Sequence, residues 1–272
     1  MSQYFSNYHS NEWIQERIQE HVDDILLKYP EDRIIGVFYQ GSGNYGLDYE
    51  GSDVDTKCII LPSVYDLHDM KRESVCHVRS NDEHTDVKDV RLMFELFLKE
   101  NVNFLEILYT PFYWVNPLYE DLWNEVVDLR NVIINSNKRA LLKSLKGIAG
   151  EKYHALEHRY PSRIEWLDRF GYDPKQLHHL LRIEEFMRRW LNGSSFSQCL
   201  ISKQPEALIE MKKGWASLGE ARKFASDSMR NIEDWYSSEM DKLDEPFTEA
   251  VTRSLTIISQ NMLDRYLEVK YR

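Results

Sequence analysis

The sequence predicts a mixed α/β N-terminal half followed by an all-helical C-terminal half, divided near residue 115. Three observations predict it. Two short β-branched and aromatic runs, residues 34–39 and 54–61, lie before that point and have the length and composition of buried strands. Beyond Pro117 apolar residues recur at three- and four-residue spacing, and almost no strand signal remains. Thr110-Pro111 and Asn116-Pro117 punctuate the joint.

The elements follow in order. Ser10 or Asn11 caps a first helix in which Trp13, Ile14, Ile18, His21, Val22, Ile25 and Leu26 share a face, and Tyr29-Pro30-Glu31-Asp32 stops it. Ile34-Ile35-Gly36-Val37-Phe38-Tyr39 is a strand, and Gln40-Gly41-Ser42-Gly43-Asn44-Tyr45-Gly46 a turn. Gly51-Ser52 makes a second turn, before the strand at 54–61 that Pro62 closes. Residues 68–82 are polar loop with a short strand near 75–78, and a further strand carries Asp86. Val90, Met93, Phe94, Phe97 and Leu98 then space out a helix, with another from Asn103. Phe38-Tyr39 and Phe112-Tyr113-Trp114 read as core aromatics. In the second half, helices are expected at 118–129, 138–158, 175–191, 205–226 (broken near Gly214) and 245–269, with Ser194-Ser195-Phe196-Ser197 as a loop. The expected division is a first domain at 1–115 and a helical domain at 116–272.

At 272 residues, with 42% hydrophobic and 29% charged residues, the chain has the composition of a soluble globular protein of one large or two small domains, which excludes disorder for most of it. No stretch approaches the roughly 18–20 apolar residues of a membrane span, and Met1-Ser2-Gln3-Tyr4 does not open a secretory signal. Cys58, Cys76 and Cys199 give neither a disulfide framework nor a zinc pattern, so a reducing cytoplasm is expected. With 34 basic and 45 acidic residues the net charge is −11. The mean field repels a polyanion, so any nucleic-acid contact must use a local basic groove.

One segment concentrates chemistry: Gly41-Ser42-Gly43-Asn44-Tyr45-Gly46, then Ser52-Asp53-Val54-Asp55. Gly41 lets the backbone approach a ligand closely. Amides of such a turn, with the Ser42 hydroxyl, cradle phosphate oxygens. Asp53 and Asp55, two apart at a strand start, point to one face. Side by side they repel unless a cation lies between them, and hard oxygen ligands suit Mg²⁺ or Mn²⁺.

On these residues the sequence resembles the nucleotidyltransferase superfamily that includes DNA polymerase β, whose signature is an apolar strand, Gly-Ser or Gly-Gly, then Asp-x-Asp and a third carboxylate on a later strand. The Gly-Ser-x-x-Tyr-Gly form is similar to a bacterial and phage group of nucleotidyltransferases, some linked to RNA repair. Asp86-Val87-Lys88-Asp89-Val90-Arg91, the stretch from Phe97 to Glu106, and Tyr172-Asp173-Pro174-Lys175 with His178-His179-Leu180-Leu181-Arg182 also look like that group, so the resemblance covers about residues 34–195. It implies an α/β nucleotidyltransferase domain with a small mixed sheet. It also implies transfer of a nucleoside monophosphate from an NTP to an acceptor hydroxyl, helped by two Mg²⁺ or Mn²⁺ ions on Asp53, Asp55 and a third carboxylate. Asp86 fits a strand position facing the pair; Asp89 competes, though it also has the look of a helix cap. Nucleotide contacts are implied at Gly41, Ser42, Gly43, Tyr45, Ser52, Lys57, Lys175, His179 and Arg182. Where the group carries a basic residue in the turn this chain has Gly43, which removes a phosphate contact.

Lys175, His179 and Arg182 fall at i, i+4 and i+7, on one helix face, and offer three cations to a phosphate. Lys138, Arg139, Lys143, Lys146 and Lys152 make a basic band on a neighbouring helix. An RNA or tRNA 3′ end is the acceptor implied by the RNA-repair link of the group this chain resembles, together with these faces, while the acidic surface suits a protein or small-molecule hydroxyl better. A non-catalytic nucleotide-binding module on the same fold is the competing reading. His84 reads as a surface residue, and the adjacent His178 and His179 point about 100° apart on a helix, a poor joint metal site.

Overall fold

The computed structural model describes residues 8–271. Helix α1 (Asn11–Leu26) opens on the Ser10 hydroxyl, which accepts the Trp13 N–H. Strand β1 (Ile34–Gln40) leads through a one-turn 3₁₀ helix, Ser42–Tyr45, toward β2 (Asp55–Ile60). Short α2 (Val64–His68), β3 (Ser74–Val78) and β4 (His84–Asp89) follow, then α3 (Val90–Leu98), α4 (Val102–Leu105) and β5 (Tyr113–Val115). The five strands form one mixed sheet in the order β3-β4-β2-β1-β5, in which only the β2–β4 pair is parallel. β5 lies at the edge and is three residues long; its aromatics, read from sequence as core, leave Tyr113 47% exposed.

From Glu120 every element is helical: α5 (Glu120–Asp128), α6 (Arg130–Ser136), α7 (Lys138–Ala155), α8 (Ile164–Phe170), α9 (Pro174–Leu191), α10 (Phe196–Leu200), α11 (Pro205–Lys212), α12 (Leu218–Glu239) and α13 (Thr248–Lys270). The expected break near Gly214 separates α11 from α12, with Gly214 at φ +85°. The segment expected as loop at 194–197 instead starts α10, because Ser195 and Gln198 close a reciprocal capping box.

Strand alternation splits the core in two. On the rear face, Ile14, Ile18, Val22 and Ile25 of α1 pack on Val37, Tyr39, Cys58, Ile60 and Val87. Each such aliphatic side chain, fully buried, contributes roughly 1.5–3 kcal/mol. On the front face, Phe38 and Ile59 join α3 and the helical half in one continuous core that runs to Tyr266 in α13. Asp55, Lys57 and Asp86 belong to this front face by register, since Lys57 pairs with Asp86 and Gln40 with Asp55. The helical half therefore packs on the sheet face where the sequence places its acidic pair.

Candidate active site

Between the front of the sheet and helices α7, α9 and α11 lies a cavity of about 360 Å³. The sheet side supplies Gly41, Ser42, Tyr45, Asp53, Asp55 and Lys57; the helical side supplies Lys152, Lys175, His178, His179, Arg182 and Lys212. Most residues singled out from sequence thus meet in one place, although more than 100 residues separate the turn from α9.

The turn is held from beneath. Gly41 takes φ +108°, a conformation open to glycine. Asn44 donates to the Tyr39 carbonyl at 3.0 Å and accepts from the Thr110 hydroxyl at 2.8 Å. The Gly43 N–H is engaged by the Tyr39 hydroxyl at 2.9 Å, so Gly43 braces the turn and does not line the cavity. Ser52 also braces: its hydroxyl accepts the Tyr49 N–H at 3.0 Å. The helical half fastens the turn from the other side, with the Ser202 N–H on the Tyr45 carbonyl at 3.1 Å and the Arg182 guanidinium 3.9 Å over the Tyr45 ring.

Asp53 and Asp55 line the cavity together. Burial and, after it, the charge of Asp53 raise the Asp55 pKa. Asp55 Oδ1 accepts the His84 N–H at 2.8 Å and lies 3.3 Å from the His84 ring Nδ1. The parallel register runs back to His84 opposite Asp55, so Asp86, opposite Lys57, sits two positions further along β4. There its carboxylate pairs with Lys88 at 2.6 Å and Lys57 at 3.7 Å, outside the cavity lining. Asp89 caps α3 and is held by Arg91. Among the described residues no group of three or more His, Cys, Asp and Glu is arranged to hold a metal ion. Asp53 and Asp55 offer carboxylate oxygens of the kind hard divalent cations prefer, while the Asp86 carboxylate is engaged by Lys57 and Lys88.

The opposite wall is cationic. Arg182 is 5% exposed, and its Nε and Nη1 have no hydrogen-bond partner. Leaving such donors unsatisfied costs roughly 1–3 kcal/mol each, which an anion in the cavity would offset. Burial and the neighbouring Lys175 lower the Lys212 pKa to about 8. His179 differs from the sequence expectation of a third cation: burial, with His178, Arg182 and Lys175 beside it, pushes its pKa well below the ordinary value, which favours the neutral ring. His178, lowered to about 3 mainly by burial, donates from Nδ1 to the Leu208 carbonyl at 2.8 Å. The basic band of α7 does not form a common field. Lys138 pairs with Asp244, Arg139 with Glu245, Lys146 lies over the Tyr236 ring, and Lys152 lines the cavity.

Glu106, Asn103, Phe104 and Lys212 line the cavity and were not anticipated. Glu106 is 3% exposed, and its Oε2 lies 3.4 Å from the Gly41 amide and 3.5 Å from Asn44 Nδ2. Burial raises its pKa, against the opposing charges of Lys57 and Arg182. The available signal was a carboxylate inside the apolar run Phe104-Leu105-Glu106-Ile107-Leu108. Lys212 gave no signal, since a lysine pair at a helix end reads as solvated.

The cavity thus sets a sheet-borne Gly-Ser turn and an Asp-x-Asp pair against a wall of cations. Residues 14–138 match the model of a family described as the RNA repair pathway DNA polymerase beta family, RlaP. That match covers the whole sheet and less than half of the chain. No curated protein matches the chain. A crystal structure of a nucleotidyltransferase-like protein from Exiguobacterium sibiricum 255-15 is similar at 11% identity over 94% of this chain and 91% of that one, with a TM-score of 0.31, too loose a likeness to carry weight. No helix among the described residues is long and apolar enough to cross a membrane.

Proposed function

We propose that the chain is a nucleotidyltransferase that moves a nucleoside monophosphate from an NTP to an acceptor hydroxyl with release of pyrophosphate, and that the acceptor is an RNA 3′ end. The observation that carries this reading is the cavity's polarity: the Asp53–Asp55 pair on the sheet side, and on the α9 side the buried Arg182 guanidinium with two unpartnered nitrogens. The description of the matching family, RNA repair, supports the acceptor.

Asp53 and Asp55 would hold Mg²⁺ or Mn²⁺, which when bound lowers the pKa of an acceptor hydroxyl and offsets charge on the departing pyrophosphate. The chain's own residues do the rest. Ser42 and the turn at Gly41 approach the phosphates from the sheet side. Arg182, Lys175 and Lys212 neutralise the triphosphate from the helical side, where low dielectric strengthens each contact. His179, neutral, offers a ring nitrogen to a phosphate oxygen. Lys57, 4.1 Å over the Phe104 ring and tied to Asp86, keeps a positive charge beside the acidic pair. The catalytic unit ends near residue 115, and the helical unit closes its cavity.

Incubation with each α-³²P-labelled NTP, Mg²⁺ or Mn²⁺, and a mixture of RNA, protein and small metabolites tests the reading, with Asp53→Ala/Asp55→Ala as control. Label passing to RNA and lost in the double variant is expected. Label on a protein or small molecule would replace the acceptor, and NTP binding without transfer would favour a nucleotide-sensing module.

A further inference from the structure

The apolar stripe of α1 on the rear of the sheet has one polar member. His21 is 0% exposed; its Nδ1 lies 2.8 Å from the Thr85 hydroxyl and 2.9 Å from that of Thr56, and its Nε2 lies 3.1 Å from Glu83 Oε2. One proton arrangement satisfies the whole group, assigned from the network. Thr56 donates to the Thr85 oxygen at 3.0 Å, Thr85 donates to Nδ1, and Nε2–H donates to Glu83. Arg17 of α1 donates to the same Glu83 oxygen. The other oxygen, Oε1, accepts the Val54 N–H at 3.1 Å.

Val54 and Thr56 are the two neighbours of Asp55. Val54 precedes the first residue of β2, so Glu83 takes its N–H where the strand ladder has not begun. The residue after Glu83, His84, donates its own N–H to Asp55 Oδ1 at 2.8 Å. Asp55 and both its neighbours therefore hang on one segment, Glu83-His84-Thr85, which α1 pins through Arg17 and His21. Burial disfavours the charge on Glu83, but hydrogen bonds from His21 and Arg17 outweigh it and hold the carboxyl ionised, with a pKa of about 2.

We propose that Glu83 is a positioning residue that aims the Asp53–Asp55 pair into the cavity from the opposite side of the sheet. The proposal rests on the reading of that pair as the ion-holding site. Glu83 touches neither the nucleotide nor the ion; it fixes the backbone between two carboxylates that would otherwise swing apart under their own repulsion. Outer partners of metal ligands act in this way, and their loss costs about 10–100-fold in metal affinity or activity.

The test is Glu83→Gln in the full chain. The amide keeps one acceptor oxygen for Val54 but presents N–H groups to the Arg17 donor. Mn²⁺ binding by electron paramagnetic resonance is expected to weaken about 10-fold or more. kcat for nucleotide transfer falls in proportion, KM for NTP stays at the wild-type value because the cationic wall is untouched, and the Val54 amide exchanges faster. Circular dichroism establishes that the variant is folded. Arg17→Met, which removes a donor that holds Glu83 from α1, decides the matter if Glu83→Gln does not fold, and it is expected to weaken Mn²⁺ binding in the same direction. A folded variant with wild-type Mn²⁺ affinity and Val54 protection overturns the positioning role alone. A wild-type chain that binds no Mn²⁺ overturns the reading of the Asp pair, and this proposal with it.

Discussion

Arg182 carries the sharpest expectation at the scale of single residues. Its guanidinium is buried against Tyr45 with two nitrogens unpartnered, so it is organised before a ligand arrives. Hydrogen bonds to charged groups contribute about 1.5–3 kcal/mol, so Arg182→Met should raise KM for NTP about 10–100-fold while the Asp pair still binds Mn²⁺, measured by steady-state kinetics beside Mn²⁺ titration. An unchanged KM would mean that the triphosphate lies elsewhere. Arg182, Lys175 and His179 were legible from helical spacing and the resemblance, and the structure brings all three to the cavity. The charge of His179 was not legible, because protonation depends on packing that no spacing encodes. Nor was Glu106, whose partners come from the turn, β2 and α9 at once.

At the scale of elements, the joint between α3 and α4 holds a buried acid. Glu100 is 0% exposed at φ +53°, accepts a long 3.4 Å bond from Ser136 and a contact from the Asn137 backbone, and has an Oε2 without a partner. Burial raises its pKa to about 9, from an ordinary 4.5. The sign follows directly. Between those values the folded chain keeps a proton that the unfolded chain has released, so the contribution is full below about 4.5 and is lost as pH rises through about 9. Glu100→Gln removes this dependence. Its Tm should exceed that of the wild type by a margin that widens from pH 5 to pH 9, measured by thermal denaturation across buffers; a constant margin would remove Glu100 from the account. Strands β1 and β2 and the long helices were legible because their apolar periods are strong. β5 was not, being three residues at a sheet edge, and the register that sets His84 opposite Asp55 is a property of strand pairing that β4 alone does not state.

Across the whole molecule, the net charge of −11 coexists with cations gathered into one interior wall. Composition left room only for a local basic groove and the α7 band was one place for it, but most of that band pairs with neighbouring elements, and the concentrated positive field is the wall beside α9. The region matched by the family model, residues 14–138, stops before that wall begins. An exposed stretch at 157–162 separates α7, which brings Lys152 to the cavity, from α9 and α11, which bring the rest of the cationic wall, and one front-face core holds the pieces together. The acid pair and most of the cationic wall are thus separate pieces of chain, which could be supplied as two fragments. Fragments 1–158 and 159–272 should each be inert in NTP transfer and regain it when co-expressed. Radiolabel transfer after co-purification measures this, and transfer by the first fragment alone would show that the α9 wall is dispensable.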